Sequence, residues 1–439
     1  MFAEERTSTF EIQRSRLEGT VRLSGAKNSV LRLLAASLLT SRPVVLSNYP
    51  SGVLDARVHV GMLESLGKQC LVDGACITIT EARHPVSVLK WPHRSIRNTL
   101  LILGALTART GAGRVPLPGG CNIGAQGDRK FDLHVLVLES LGAKVRVIDD
   151  ALAAEAPKGG LVGNDIHLPL RSTGATENAI ICGSLASGLT RLWNPHIRPE
   201  IIDLVRFLRS MGARIDVFGQ ERIDIHGVAE LDGTRHHVIA DNMEALTWVI
   251  GSMITDGEVE IEDFPFDDLE VPMIFLRESG GRFYRCDRSL LVRGGQCFPI
   301  EISTAPYPGV NSDAQPLMAV LGAMANGESR LMDLRFPGRY AYADELARMG
   351  MAYVIDGNLL RIKGGRKLTG ATVSAHDLRT GVALALAALT ASGVTRIEQA
   401  WQIERGYDGF IDKLRALGGR IEPLGIQPPQ TGEAVVTGE

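Results

Sequence analysis

Leu63-Glu64-Ser65-Leu66-Gly67 returns, with substitutions, as Leu138-Glu139-Ser140-Leu141-Gly142, Leu208-Arg209-Ser210-Met211-Gly212, Leu276-Arg277-Glu278-Ser279-Gly280, Leu346-Ala347-Arg348-Met349-Gly350 and Leu414-Arg415-Ala416-Leu417-Gly418. The closing glycines stand 75, 70, 68, 70 and 68 residues apart. Each follows an amphipathic run and precedes a short strand pattern, where glycine supplies the left-handed residue that ends a helix at little cost. Ahead of each lies an apolar helical run, at 29–39, 98–107, 177–186, 243–253, 313–325 and 381–391. Six units of about 70 residues are longer than ordinary solenoid repeats. Each holds two helices and several strands, with too few apolar residues to close a core alone, so the units must pack together.

At 439 residues the chain is long enough for two or more domains. Hydrophobic content of 45%, charged content of 22% and a net charge of −3 describe an ordinary globular protein with no global attraction to nucleic acid or an anionic membrane. Six cysteines without a CxxC pair, and ten histidines without HExxH, support neither a disulfide framework nor a metal site, and no cofactor is expected. The N-terminus is polar and no apolar stretch reaches membrane-spanning length, so a cytoplasmic location is expected. Residues 425–439 carry Pro and Gly without apolar periodicity and are expected to be disordered.

Five short motifs stand in one order: Ser24-Gly25-Ala26-Lys27-Asn28, Gly119-Gly120-Cys121, Ser172-Thr173-Gly174-Ala175-Thr176, Asp377-Leu378-Arg379 and Arg405-Gly406-Tyr407. Through them the chain resembles the enolpyruvyl transferase family from about residue 10 to about residue 422, and within it the branch whose acceptor is UDP-N-acetylglucosamine. The resemblance implies an α/β (α+β) protein, a two-domain inside-out α/β barrel with helices inside and sheets outward. Its domains would be residues 28–239, carrying the cysteine loop, and residues 1–27 plus 240–424. Glu18 to Leu23 reads as a strand, and in the family the N-terminal segment pairs with the second domain, so the chain would cross twice, near Lys27 and Ile239. The implied reaction moves the enolpyruvyl group of phosphoenolpyruvate to a sugar hydroxyl and releases phosphate.

That chemistry needs cations for the donor, a base for the hydroxyl and a proton for the methylene carbon. Lys27, at a strand-to-helix turn, suits a phosphate; as a surface lysine at a helix start it would sit badly with the dipole. With Arg129 and Arg405 it is expected to hold the donor. Asp313 is the expected base, although Ser312 or Asp313 could equally cap the following helix. Asp377 is a second carboxylate there, expected to share that catalytic work or to orient the donor, and Glu200 resembles a cleft acid. Asn28, Arg97, Asp132, His134, Ser172, Thr173, Gly174, Arg339 and Arg379 are expected at the acceptor, Asn28 with N-capping as its plain alternative. Cys121 lies among glycines near Arg129 and Lys130, which favour a reactive thiolate. In the family this loop closes over the substrates, and its cysteine serves in proton transfer or product release and is the target of fosfomycin.

The chain also departs from the family pattern. After the cysteine the family continues Gly-Ala-Arg-Pro-X-Asp-X-His, whereas here Gly124 to His134 carries three extra residues. Counting from the cysteine places Gln126 at the family arginine; counting back from Asp132 places Arg129, the favoured register because loops absorb insertions. The segment Leu170-Arg171 stands where the family often has a lysine near the nucleotide phosphates, for which Arg171 could substitute; Asn242 stands where an arginine is usual and Leu101 where a tryptophan is. These changes fall on the acceptor side. The acceptor is therefore expected to be UDP-N-acetylglucosamine or, in a specialised relative, another uridine nucleotide such as UMP. A non-catalytic nucleotide-binding relative is opposed by the intact Lys27, Cys121, Asp313, Asp377, Arg379 and Arg405.

Overall fold

The computed structural model describes residues 7–93, 95–118 and 131–427. Its helices alternate between an inner and an outer set. The inner set is α1 (Lys27–Ala36), α3 (Thr99–Thr110), α5 (Thr173–Gly183), α7 (Asn242–Ile254), α9 (Gln315–Met324) and α11 (Leu378–Thr390). The outer set is α2 (Leu54–Leu66), α4 (Asp132–Ser140), α6 (Pro199–Ser210), α8 (Glu270–Glu278), α10 (Ala341–Arg348), the short α12 (Trp401–Glu404) and α13 (Phe410–Ala416). Inner helices are apolar almost all round, as central helices must be. α11 buries every residue from Leu378 to Leu389. Outer helices show one apolar stripe, in α6 Ile201, Leu204, Val205 and Leu208. The six landmark glycines all adopt positive φ, between 85° and 115°, which favours glycine over residues with a Cβ.

Among the described residues, short sheets cover the helices, four strands wide except for the three-stranded sheet built from Ala112–Pro116, Lys144–Ile148 and Ala151–Glu155. Strand faces alternate, as in Val44–Ser47, where Val44 and Leu46 point inward. Helices inside and sheets outside are the arrangement the resemblance implied. Buried apolar side chains form two separate clusters. One runs from Val30 to Val238 around α1, α3 and α5. The other joins Phe10–Leu23 to Met243–Ile421 around α7, α9 and α11.

Both N-terminal strands pair with the later half of the chain. Thr7–Gln13 lies antiparallel between Val394–Glu398 and Arg420–Gln427, and Glu18–Arg22 runs parallel to Glu258–Glu262. Strand Arg420–Gln427 thus extends into the segment expected to be disordered. Its pairing with Thr7–Gln13 supplies the hydrogen bonds that local composition did not suggest. Where the chain passes between the two clusters, Gly25 bridges Ala240, Ala26 N–H donates to the Ile239 carbonyl at 2.7 Å, and Asp241 N–H donates to the Ser24 carbonyl at 2.9 Å. A Cβ on Gly25 would lie 1.9 Å from the Asn48 carbonyl oxygen, so only glycine fits. Among the described residues no helix is long and apolar enough to cross a membrane.

Candidate active site

The site is assembled from helix starts of both clusters. Asp241 accepts hydrogen bonds from Met243 N and Glu244 N at 2.8 and 3.0 Å, capping α7, and from Lys27 N at 3.0 Å. It therefore fixes the first residue of α1. The cap position of α1 is Ala26, whose side chain offers no cap bond, and Asn28 lies within the helix rather than capping it.

Lys27 Nζ reaches Asp55 Oδ2 at 2.9 Å, and Arg405 Nε reaches Asp55 Oδ1 at 3.1 Å. The three side chains are 15%, 7% and 14% exposed in the order Lys27, Asp55, Arg405. Burial opposes ionisation of Asp55, but Lys27 and Arg405 overcome it and hold the carboxyl at about 2. Two expected donor cations from different clusters thus converge on one carboxylate that the sequence did not single out. A second contact joins the same segments, Gly52 N–H to Asp408 Oδ1 at 2.8 Å.

Asp313 sits in the 3₁₀ turn Ser312–Ala314, whose cap is Asn311, with Asp313 N donating to its Oδ1 at 3.0 Å. Capping therefore does not occupy the Asp313 carboxylate. Arg339 Nη1 lies 2.9 Å from Oδ1 and Arg379 Nη2 3.3 Å from Oδ2. Burial again opposes the charge, but these guanidinium groups drive the carboxyl far below the usual carboxylate range. Asp377, by contrast, caps α11. Its Oδ1 accepts from Arg379 N and Thr380 N at 2.7 and 3.1 Å, and its Oδ2 from the Thr380 hydroxyl at 2.8 Å. The structure thus has Asp377 present Arg379 to Asp313. Glu200 is buried and paired with Arg198 Nε at 2.7 Å.

Beside Asp313 opens a cavity of about 460 Å³ between the clusters, lined from one side by Asn28, Arg171, Thr173 and His196 and from the other by Asn242 and Arg335. Ser172 caps α5 through a long bond from Ala175 N, 3.4 Å, and Thr173 Oγ1 lies 2.9 Å from His196 Nδ1. A Cβ on Gly174 would meet His134 Nε2 at 2.6 Å, so glycine lets the buried His134 ring approach α5. Asp132 opens α4 on the surface, and the half-buried Arg97 precedes α3. Cys121, Gln126 and Arg129 lie outside the described residues.

Asp55 and Arg335 escaped the sequence reading. Asp55 is an acidic residue in the first turn of α2, where the helix dipole alone would account for it. Only its long-range partners distinguish it.

A sheet-covered helical barrel in two clusters, with cations and carboxylates meeting between them, places the molecule in a known class. The model of the EPSP synthase (3-phosphoshikimate 1-carboxyvinyltransferase) family matches residues 12–414. The chain belongs to that family of enolpyruvyl transferases and is a transferase enzyme. Over 417 residues, 93% of the chain and 97% of the relative, it is 41% identical to UDP-N-acetylglucosamine 1-carboxyvinyltransferase 2 of Carboxydothermus hydrogenoformans. It is 38% identical over 419 residues to UDP-N-acetylglucosamine 1-carboxyvinyltransferase of Maricaulis maris, again across 93% of the chain and 97% of the relative. Among solved structures, the enolpyruvyl transferase NikO from Streptomyces tendae superposes with a TM-score of 0.86 at 26% identity, covering 97% of this chain and 100% of that one. EPSP synthase from Acinetobacter baumannii shares the fold, with a TM-score of 0.71 at 17% identity, covering 95% of this chain and 100% of that one.

Proposed function

We propose that the enzyme transfers the enolpyruvyl group of phosphoenolpyruvate to the 3-hydroxyl of the sugar in UDP-N-acetylglucosamine, releasing phosphate, on the route to peptidoglycan. The observation that carries this is Asp313, a carboxylate free of capping duty, beside a cavity large enough for a nucleotide sugar. Lys27 and Arg405 hold the donor's phosphate and carboxylate, with Arg129 as a third cation. Asp313 takes the acceptor's proton as the hydroxyl oxygen bonds to C2 of the donor, while a proton is added at C3. The C2–O bond to phosphate then breaks, and C3 gives up a proton to restore the double bond. As held here by Arg339 and Arg379, Asp313 is a weak base; drawing either guanidinium toward an anionic substrate strengthens it. Cys121 serves in proton transfer or product release, a role resting on its motif. We take residues 28–239 and residues 1–27 plus 240–424 as the two domains whose cleft holds the reaction.

A second acceptor, another uridine nucleotide such as UMP, is favoured by one feature. Asn242 lines the cavity at a position where the family usually carries arginine. Release of phosphate from phosphoenolpyruvate with UDP-N-acetylglucosamine, UMP and UDP in parallel tests both. Turnover with the nucleotide sugar alone supports the first acceptor, turnover with UMP alone the second, and turnover with none removes both.

A further inference from the structure

Four arginines line the cavity beside Asp313, and they are not equivalent. Arg32 is matched by Glu177, its Nε 2.5 Å from the carboxylate, and Arg198 by Glu200. Arg171 meets only neutral partners, Asn194 Oδ1 at 3.3 Å and the Gln220 carbonyl at 3.4 Å. Arg335 extends from the opposite wall. Its backbone is held by the buried Asp333, whose Oδ1 accepts from Arg335 N and Phe336 N at 2.9 and 2.8 Å, and its guanidinium lies 5.4 Å from the Phe336 ring centre. Among the described residues no carboxylate forms an ion pair with Arg171 or Arg335. Both nevertheless act on one point. His196 is pushed down to about 4 by burial first, then by Arg198 and Arg335, with Arg171 adding to them and Glu200 opposing. The ring is therefore neutral near pH 7, and the surplus positive charge around it belongs to guanidinium groups on both sides of the cleft.

We propose that Arg335 is a specificity-determining residue that, facing Arg171 across the cleft, binds the phosphate of the acceptor nucleotide. This rests on the reading of the acceptor as a uridine nucleotide. Arg171 stands among the residues packed around α5 and Arg335 among those packed around α9, so an anion between them ties the two clusters together at the acceptor end. Planar guanidinium groups suit this task, since each offers paired N–H donors to phosphate oxygens. A neutral sugar or base gains nothing from such charge, so the subsite selects a phosphorylated acceptor.

The test is isothermal titration of UDP into wild type, Arg335→Ala and Arg335→Lys, with steady-state KM for phosphoenolpyruvate measured on the same proteins. UDP affinity should fall about tenfold or more in Arg335→Ala and recover in part in Arg335→Lys, as loss and partial return of a charge-assisted contact require. The deficit should shrink at high salt, and the KM for phosphoenolpyruvate should stay within about twofold of wild type, since the donor's cations are elsewhere. UDP affinity unchanged in Arg335→Ala, or a rise confined to the KM for phosphoenolpyruvate, overturns the assignment. Failure of the acceptor reading looks different. Wild type would then bind UDP through Arg335 yet release no phosphate with any uridine nucleotide.

Discussion

The two ends of the cleft handle charge in opposite ways. At the proposed donor end, Lys27 and Arg405 are drawn onto the buried Asp55, so that the three side chains together carry one net positive charge in a compact, nearly dry group. At the proposed acceptor end, Arg171 and Arg335 border an open cavity, and among the described residues no carboxylate pairs with either. The difference matches what each end would recognise under the proposed function. A small donor of one fixed form can be met by side chains locked in place beforehand, which lowers the ordering cost of binding. An acceptor several times larger needs room, and its charge can be matched by side chains that settle only around it.

Fosfomycin gives the largest expected effect. It should inactivate the enzyme completely, with the mass increase on Cys121. Burial pushes Cys70 up to about 12 and Cys297 up to about 11, and it raises Cys182 further still, so these thiols are poor nucleophiles near neutral pH. Cys286 is exposed and serves as the internal control; peptide mapping that finds the adduct there would move reactivity away from the donor end. Next is Asp313→Asn, which should lower kcat roughly 100-fold or more with both KM values close to wild type, as expected for loss of a positioned base. Full turnover in this variant would reduce Asp313 to an anchor for Arg339 and Arg379.

Asp55→Asn probes the proposed donor end directly. Removing the shared partner of two buried cations should cost roughly 3 kcal/mol in denaturant unfolding. The sign of the pH dependence follows from the lowered acid constant. Asp55 holds its folded carboxyl at about 2 against an ordinary 3.8, so its contribution is complete above about pH 4 and lost as pH falls toward 2. The gap between wild type and variant should therefore be constant at higher pH and close in acid; a gap independent of pH would mean that the ion pairs contribute nothing. The smallest effect is that of Ser172→Ala. With its capping bond at 3.4 Å, the substitution should cost about 0.5 kcal/mol. A loss of UDP-N-acetylglucosamine affinity far beyond that would show that the hydroxyl binds the acceptor as well as the helix.

What the sequence disclosed was local. Gly67, Gly142, Gly212, Gly280, Gly350 and Gly418 end helices by a rule written within a few residues, and all six have the backbone that rule requires. Asp313 and Arg379 were found because short motifs mark them, yet their contact joins positions 66 residues apart and has no local signature. Asp55 shows the limit most plainly. Its partner Arg405 is 350 residues away, and nothing in the run Leu54-Asp55-Ala56 announces the meeting. Capping was harder to assign than helix position. Ser312 and Asp313 looked suitable for the cap that Asn311 provides, because all three side chains are chemically able and only backbone geometry chooses between them. The strand Arg420–Gln427 was underestimated for a related reason, since its partner is the distant Thr7–Gln13.

The hydrogen-bonded passage between the clusters has a mechanical consequence. Ser24–Ala26 and Ile239–Asp241 are stitched side by side, and the amide of Lys27 is fastened to the Asp241 carboxylate. Under the proposed two-domain division, a swing of one half against the other would turn about this ribbon. A point on an axle is carried almost nowhere by rotation, whereas points farther out travel in proportion to their radius. On that division Lys27 would work like the rivet of a pair of calipers, the fixed mark from which the positions of Arg405, Asp313 and Arg335 would be gauged as the jaws close.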